Sequence, residues 1–125
     1  MGVKYWLDDQ TLVFCHSWAG HISASEVLEF RSVAKAFAAK DSLVDLTNVT
    51  GSDITSDALR AFAEGSVDRA RIAIIAPKPA QFGMARMYES LASLKAKPTR
   101  IGVFWTKEEA MSWLREGNPL PRPAA

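Results

Sequence analysis

Apolar positions along this chain change their period several times, and each change predicts an element. Val3 to Leu7 and Thr11 to Trp18 are aromatic and β-branched runs flanking Asp8-Asp9-Gln10, the pattern of an antiparallel hairpin. In the second run Leu12, Phe14, His16 and Trp18 share one face, and Val13, Cys15 and Ser17 the other. Gly20 is expected to turn the chain into a helix. Ser23 and Glu26 stand at capping-box spacing, and Ile22 can pack on Val27 as a hydrophobic staple. Val27, Phe30, Ala34 and Phe37, with Val33 beside them, then recur at three and four, one stripe facing a core. This helix is expected to end near Ala39.

Leu43 to Leu46 reads as a short strand interrupted by Asp45, and Thr47 to Ser56 as a polar loop. A second helix directs Leu59, Phe62 and Ala63 inward and ends near Gly65. Ile72 to Ala76 is apolar without alternation, as in a strand covered on both faces. A helix from about Phe82 to Leu94 follows a proline-punctuated loop. Arg100 to Trp105 is the last strand, where Gly102 permits close approach of a neighbouring element. Thr106 and Glu109 form a second capping box, opening a helix with Ala110, Trp113 and Leu114 and closed by Gly117, Asn118 and Pro119. The order ββαβαβαβα predicts an α/β fold: a mixed sheet of about five strands, an opening hairpin followed by parallel strands, packed with four helices. Residues 1–118 read as one domain, and 119–125 as a proline-rich tail whose spacing misses the PxxP register.

Composition narrows the partners. With 48% hydrophobic and 23% charged residues the chain is globular. A net charge of +1 gives no electrostatic basis for binding nucleic acid. The local run Lys95, Lys97 and Arg100 reads as a solvated helix end. A single cysteine, Cys15, fits a reducing compartment. Charge interrupts the first nine residues before an apolar signal region forms, and Trp6 stands where a myristoylation signal needs Ser or Thr. No apolar run approaches the ~20 residues of a membrane span. A cytoplasmic protein is expected.

Three segments carry a family resemblance. Ala73-Ile-Ile-Ala-Pro77 followed by Phe82-Gly-Met-Ala-Arg-Met-Tyr-Glu89 resembles the hallmark of the bacterial SpoIIAA-like proteins, a branch of the STAS and CRAL-TRIO-like fold group. Val44-Asp-Leu-Thr-Asn-Val-Thr50 resembles that family's strand-to-loop step. Ile101-Gly-Val-Phe104 and Glu108-Glu-Ala-Met-Ser-Trp-Leu114 resemble its closing strand and helix. The resemblance implies a compact α/β domain used in regulation, protein binding or binding of apolar ligands, with no defined catalytic activity. Anti-sigma-factor antagonists of the wider group carry an Asp-Ser-Ser-Gly-like phosphoacceptor turn. Here Thr50-Gly-Ser-Asp-Ile-Thr-Ser56 stands in its place, leaving Ser52, Thr55 and Ser56 as candidate phosphoacceptors at a helix start.

Candidate chemistry beyond the resemblance is sparse. Cys15 and His16 point to opposite faces of a strand and cannot act as a dyad there. His16 and His21, without an acidic partner near in sequence, do not predict a metal site. Asp45, an acid within an apolar strand, needs hydrogen-bond donors, which the following loop can supply. Parallel sheets bind ligands beyond the carboxyl ends of their strands, which singles out Asp45, Thr47 and Lys78, with Phe82 and Trp105 as apolar walls. Met84, Met87, Leu91 and Leu94 form a stripe beside Ala85, Tyr88 and Ala92. That arc is wider than one sheet contact needs, and Met84, Met87, Tyr88 and Leu91 become candidates for an interface or groove. Arg86 has Glu89 as a local ion-pair partner. The reading is a non-enzymatic STAS-like regulatory or protein-interaction module, expected to be a homodimer and to use no cofactor or metal. Its alternative is binding of a small apolar or amphipathic, lipid-like ligand between helices and sheet.

Overall fold

The structure is a computed structural model that describes residues 2–37, 40–65, 71–94 and 100–116. The element order is β1 (Val3–Leu7), β2 (Phe14–Ile22), α1 (Ala24–Ala36), β3 (Ser42–Ser52), α2 (Ser56–Gly65), β4 (Arg71–Ile75), α3 (Pro79–Ala92), β5 (Arg100–Phe104) and α4 (Lys107–Glu116). That is the ββαβαβαβα order expected from the sequence. The five strands form one sheet in the order β1-β2-β3-β4-β5, with β1 antiparallel to β2 and every later pair parallel. Lys95, Lys97, the helix end expected near Ala39, the expected closure at Gly117 to Pro119 and the tail lie outside the described residues.

Sequential strand order dictates where the helices go. Right-handed crossovers that step across a sheet in one direction place their helices on one face. Accordingly Phe14, Trp18, Leu46, Val49, Ile72 and Ile74 pack with Phe30 of α1 and Ala85 of α3 in the larger core. Helix α4 follows the last strand and is free of that constraint. It covers the opposite face, where Ala110 and Leu114 pack on Val13, Cys15, Leu43, Ala73 and Ile75. The alternation expected of the second run is therefore real: Phe14 and Trp18 serve one core, Val13 and Cys15 the other.

Local rules set the helix starts. The Ser23 hydroxyl accepts the Glu26 N–H at 3.2 Å, and Thr106 accepts that of Glu109 at 3.2 Å. The forward half of each expected capping box is thus present, and each hydroxyl donates to the glutamate carboxylate instead of the carboxylate reaching the cap's own N–H. Leu59, Phe62 and Ala63 are buried, as expected. At Gly102 an added Cβ would lie 2.7 Å from the Phe104 ring and 3.3 Å from that of Trp113, so this glycine does serve close approach.

Three strand boundaries differ from the sequence reading by more than one residue, and α3 starts at Pro79 where the sequence placed its start near Phe82. Thr11, Leu12 and Val13 belong to the hairpin turn: the Thr11 hydroxyl donates to the Asp8 carboxylate, and Leu12 takes a left-handed φ of 59°. Leu12 is consequently half exposed. Gly20, expected to end the strand, lies inside β2 at φ 74°. Thr47 to Ser52, expected as loop, extends β3. β2 and β3 pair far beyond the end of β4, from Phe14↔Ser42 to Ile22↔Ser52, and mutual pairing rather than burial keeps these polar residues extended.

The β3 extension contains two irregularities. Ser17 pairs with Asp45 but Ala19 with Asn48, so β3 carries an extra residue there, and a second shift falls between Gly20 and His21. Such a bulge changes which face the later residues present. Leu46 and Val49 both reach the larger core, three residues apart, only because the bulge intervenes.

Candidate functional site

Asp45 is half-buried where the first bulge forms. Its Oδ1 accepts the Thr47 N–H at 2.9 Å and the Thr47 hydroxyl. A bulge leaves a backbone donor outside the strand ladder, and the Asp45 carboxylate satisfies it. The following segment thus supplies the donors that the sequence demanded.

The end of β4 creates a different need. β3 pairs with β4 only up to Asp45↔Ile75, so its edge beyond that point has no strand neighbour. The buried Gln81 fills this place: its Nε2 donates to the Val49 carbonyl at 2.7 Å, and Lys78 Nζ approaches the same oxygen at 3.4 Å. Sequence reasoning missed Gln81. It fell in the loop expected before Phe82, whereas α3 begins at Pro79, and a proline at a helix start was the available signal. The contact locks the start of α3 against β3 and forms part of the wall of the second of two hollows.

The first hollow is an apolar cavity of about 220 Å³ between the sheet and helices α1, α2 and α3, partly open to solvent. Trp18, Leu46, Ile72 and Ile74 form its floor; Phe30, Phe62, Ala85 and Tyr88 are among its walls. The second is a groove of about 360 Å³ between the β3 extension and the outer side of α3.

The expected site residues divide among separate places. Lys78, Met84, Met87, Ser52 and Ser56 come together along the groove, and Met84 and Tyr88 also border the cavity. Ser52 accepts the Ile54 N–H at 3.0 Å and contacts Met84 Sδ at 3.9 Å. Thr55 accepts the Ala58 N–H at 3.1 Å and so caps α2. Asp45, Thr47, Phe82, Trp105 and Leu91 line neither hollow. Phe82 and Trp105 stack face to face with centroids 4.0 Å apart, forming a joint pad rather than two separate walls. On α3 the buried positions are Gln81, Ala85 and Ala92, while Met87 is 46% exposed. Arg86 pairs with Glu89 at 2.7 Å, as the spacing predicts.

The titratable residues follow the same local logic. Burial pushes the Cys15 thiol above its ordinary value, with the Asp8 charge adding to the effect. The Thr11 hydroxyl holds the Asp8 carboxyl below the usual range. The Trp18 indole N–H donates to His16 Nδ1 at 2.9 Å, so that nitrogen keeps its lone pair and the neutral ring carries its proton on Nε2. Among the described residues no three His, Cys, Asp or Glu side chains cluster as a metal site, and no helix is long and apolar enough to cross a membrane.

The architecture matches a solved structure. The crystal structure of an uncharacterized protein of the DUF3478 family from Shewanella loihica PV-4, described as having a SpoIIAA-like fold, superposes with a TM-score of 0.65. The match covers 90% of this chain and 94% of that one at 18% sequence identity. No family model matches the chain, and no curated protein is similar to it in sequence. The fold is SpoIIAA-like, in agreement with the resemblance carried by the sequence segments.

Proposed function

We propose that this chain is a non-enzymatic, cytoplasmic binding module that holds a small apolar or amphipathic ligand between α1–α3 and the sheet. The cavity carries this reading. Its walls are almost wholly apolar and partly open to solvent, so without a ligand water is left against apolar surface, at roughly 25 cal/mol for each Å². A domain has only about 5–15 kcal/mol of net stability, so a purely structural core has reason to close such a space. Occupancy by a ligand restores the missing contacts and couples binding to the order of three helices, which is how a module without catalysis acts as a regulator.

The test is a thermal-shift series with 1-heptanol and indole, together with native mass spectrometry of protein purified without added ligand. A rise in Tm that grows with probe concentration, or a retained small-molecule mass, supports the reading. A flat Tm up to millimolar probe with a clean apoprotein mass overturns it.

A second reading, self-association, rests on α3. Met87 is half exposed, and Leu94, just past the helix, is 81% exposed. A homodimer through this surface predicts that light scattering gives twice the chain mass and that Met87→Glu returns the protein to monomer.

A further inference from the structure

The ligand's chemistry can be narrowed further, given the cavity reading above. Its lining is apolar except for Trp18, His16, Ser42, Tyr88 and Arg31. The Trp18 N–H and His16 Nδ1 bond each other, and His16, Ser42 and Tyr88 hold further interactions within the fold. Arg31 is different. It is half-buried at the border of the cavity, yet it belongs to none of the ion pairs His21–Asp53, Arg71–Asp41 and Arg86–Glu89. Its guanidinium is solvent-accessible and has no hydrogen-bond partner among the described residues, so it is available to a ligand at the cavity mouth.

The guanidinium carries a fixed positive charge, and since none of its nitrogens is buried without a partner it reaches water at the mouth of the cavity while its stem lies along the apolar wall. A bound anion supplies the missing partner, and the planar fork of Arg matches a carboxylate in two parallel hydrogen bonds. We infer that the ligand is a compact amphiphilic carboxylic acid, its apolar part in the cavity and its carboxylate on Arg31.

Charge and size select this class over its neighbours. Arg31 is the only cationic side chain lining the cavity among the described residues, because His16 Nδ1 is already an acceptor. One positive charge balances a monoanion and leaves a phosphate dianion half neutralised. An engineered cavity of about 150 Å³ accommodates benzene, which scales to roughly nine non-hydrogen atoms in a space of 220 Å³. A medium-chain or aryl-alkyl acid fits this limit; a phospholipid or a long-chain fatty acid exceeds it.

Calorimetric titration with octanoate and its neutral isostere octanamide tests the inference. Wild-type protein is expected to bind octanoate at least tenfold more tightly than octanamide. Arg31→Met, which keeps the stem, removes that difference, and Arg31→Lys retains part of it. Ala85→Phe, which fills the cavity, abolishes binding of both probes while the circular dichroism spectrum stays native. Equal binding of the two probes by wild type, or an unchanged preference in Arg31→Met, overturns the carboxylate assignment and leaves the apolar cavity standing. If wild type binds neither probe, the cavity reading fails together with it.

Discussion

Asp45 shows how one residue can look catalytic and act structurally. Its carboxylate is committed to the Thr47 N–H and hydroxyl at the bulge. Asp45→Ala is expected to lower stability by about 0.5–1.5 kcal/mol, the net worth of the lost hydrogen bonds, because water can reach the exposed Thr47 N–H. Thr47→Val keeps the backbone bond and should cost less; chemical denaturation of the two variants gives the comparison. Cys15 yields a prediction of opposite character. Its thiol is raised by burial, so at neutral pH it is protonated, shielded and slow to react with iodoacetamide until the protein unfolds. The sign in stability follows from linkage. The unfolded chain releases this proton first, so the contribution is complete below the ordinary thiol value and is lost as pH rises through the higher folded value. Replacing Cys15 by Ser should flatten the alkaline limb of a stability-against-pH curve.

At the scale of elements, the termini and strand ends carry most of the specific polar contacts. Thr55 caps α2, and Thr55→Ala is expected to cost about 1 kcal/mol in a thermal melt, provided Ser56 does not take over the capping bond. At the amino end of β4 the buried Arg71 grips Asp41 through two nitrogens, one at 3.3 Å, and lies 5.8 Å from the Trp113 ring centroid. Its third nitrogen, Nη1, is buried without a hydrogen bond among the described residues. Removing one partner of such a pair leaves an uncompensated charge. Asp41→Ala should therefore cost about 3–5 kcal/mol, and the double variant Asp41→Leu, Arg71→Met should recover most of it. Equal denaturation midpoints for the single and double variants would count against a charge-based cost.

Across the whole molecule, the two faces of the sheet are unequal. Three crossover helices stand over one face and a single helix over the other, where Trp6 remains half exposed beyond the reach of α4. The heavier side holds an aromatic assembly in which Phe14 stacks on Phe37 at 4.4 Å and Trp18 meets Phe30 edge-on at 5.2 Å. The same side contains the cavity, so its packing is generous at one end and incomplete at the other. Ala85→Phe is expected to raise the midpoint of unfolding by several degrees by filling that void, at the expense of ligand binding. A fall in Tm would show that the walls cannot accept the ring.

Much of this fold was legible in the chain itself, because its causes are local. Element order, the faces of β2, the hydroxyl caps at Ser23 and Thr106, and the need for glycine at position 102 follow from periodicity, side-chain hydrogen bonding and the absence of a Cβ. The SpoIIAA-like fold was likewise readable from short segments. What the chain alone could not reveal depends on residues distant in sequence. Thr47 to Ser52 is polar and carries no strand signal; it extends because β2 lies alongside it. Val49 faces the core because a bulge intervenes, and its carbonyl is met by Gln81 from another element. The candidate site shows the same division. Lys78, Met84, Met87, Ser52 and Ser56 converge although they are spread over 36 positions, whereas Asp45 and Thr47 turn away from both hollows. Arg31 was unremarked in the sequence, since an arginine on a helix is ordinarily solvated; only packing of three helices over one sheet face brings it to the border of a cavity.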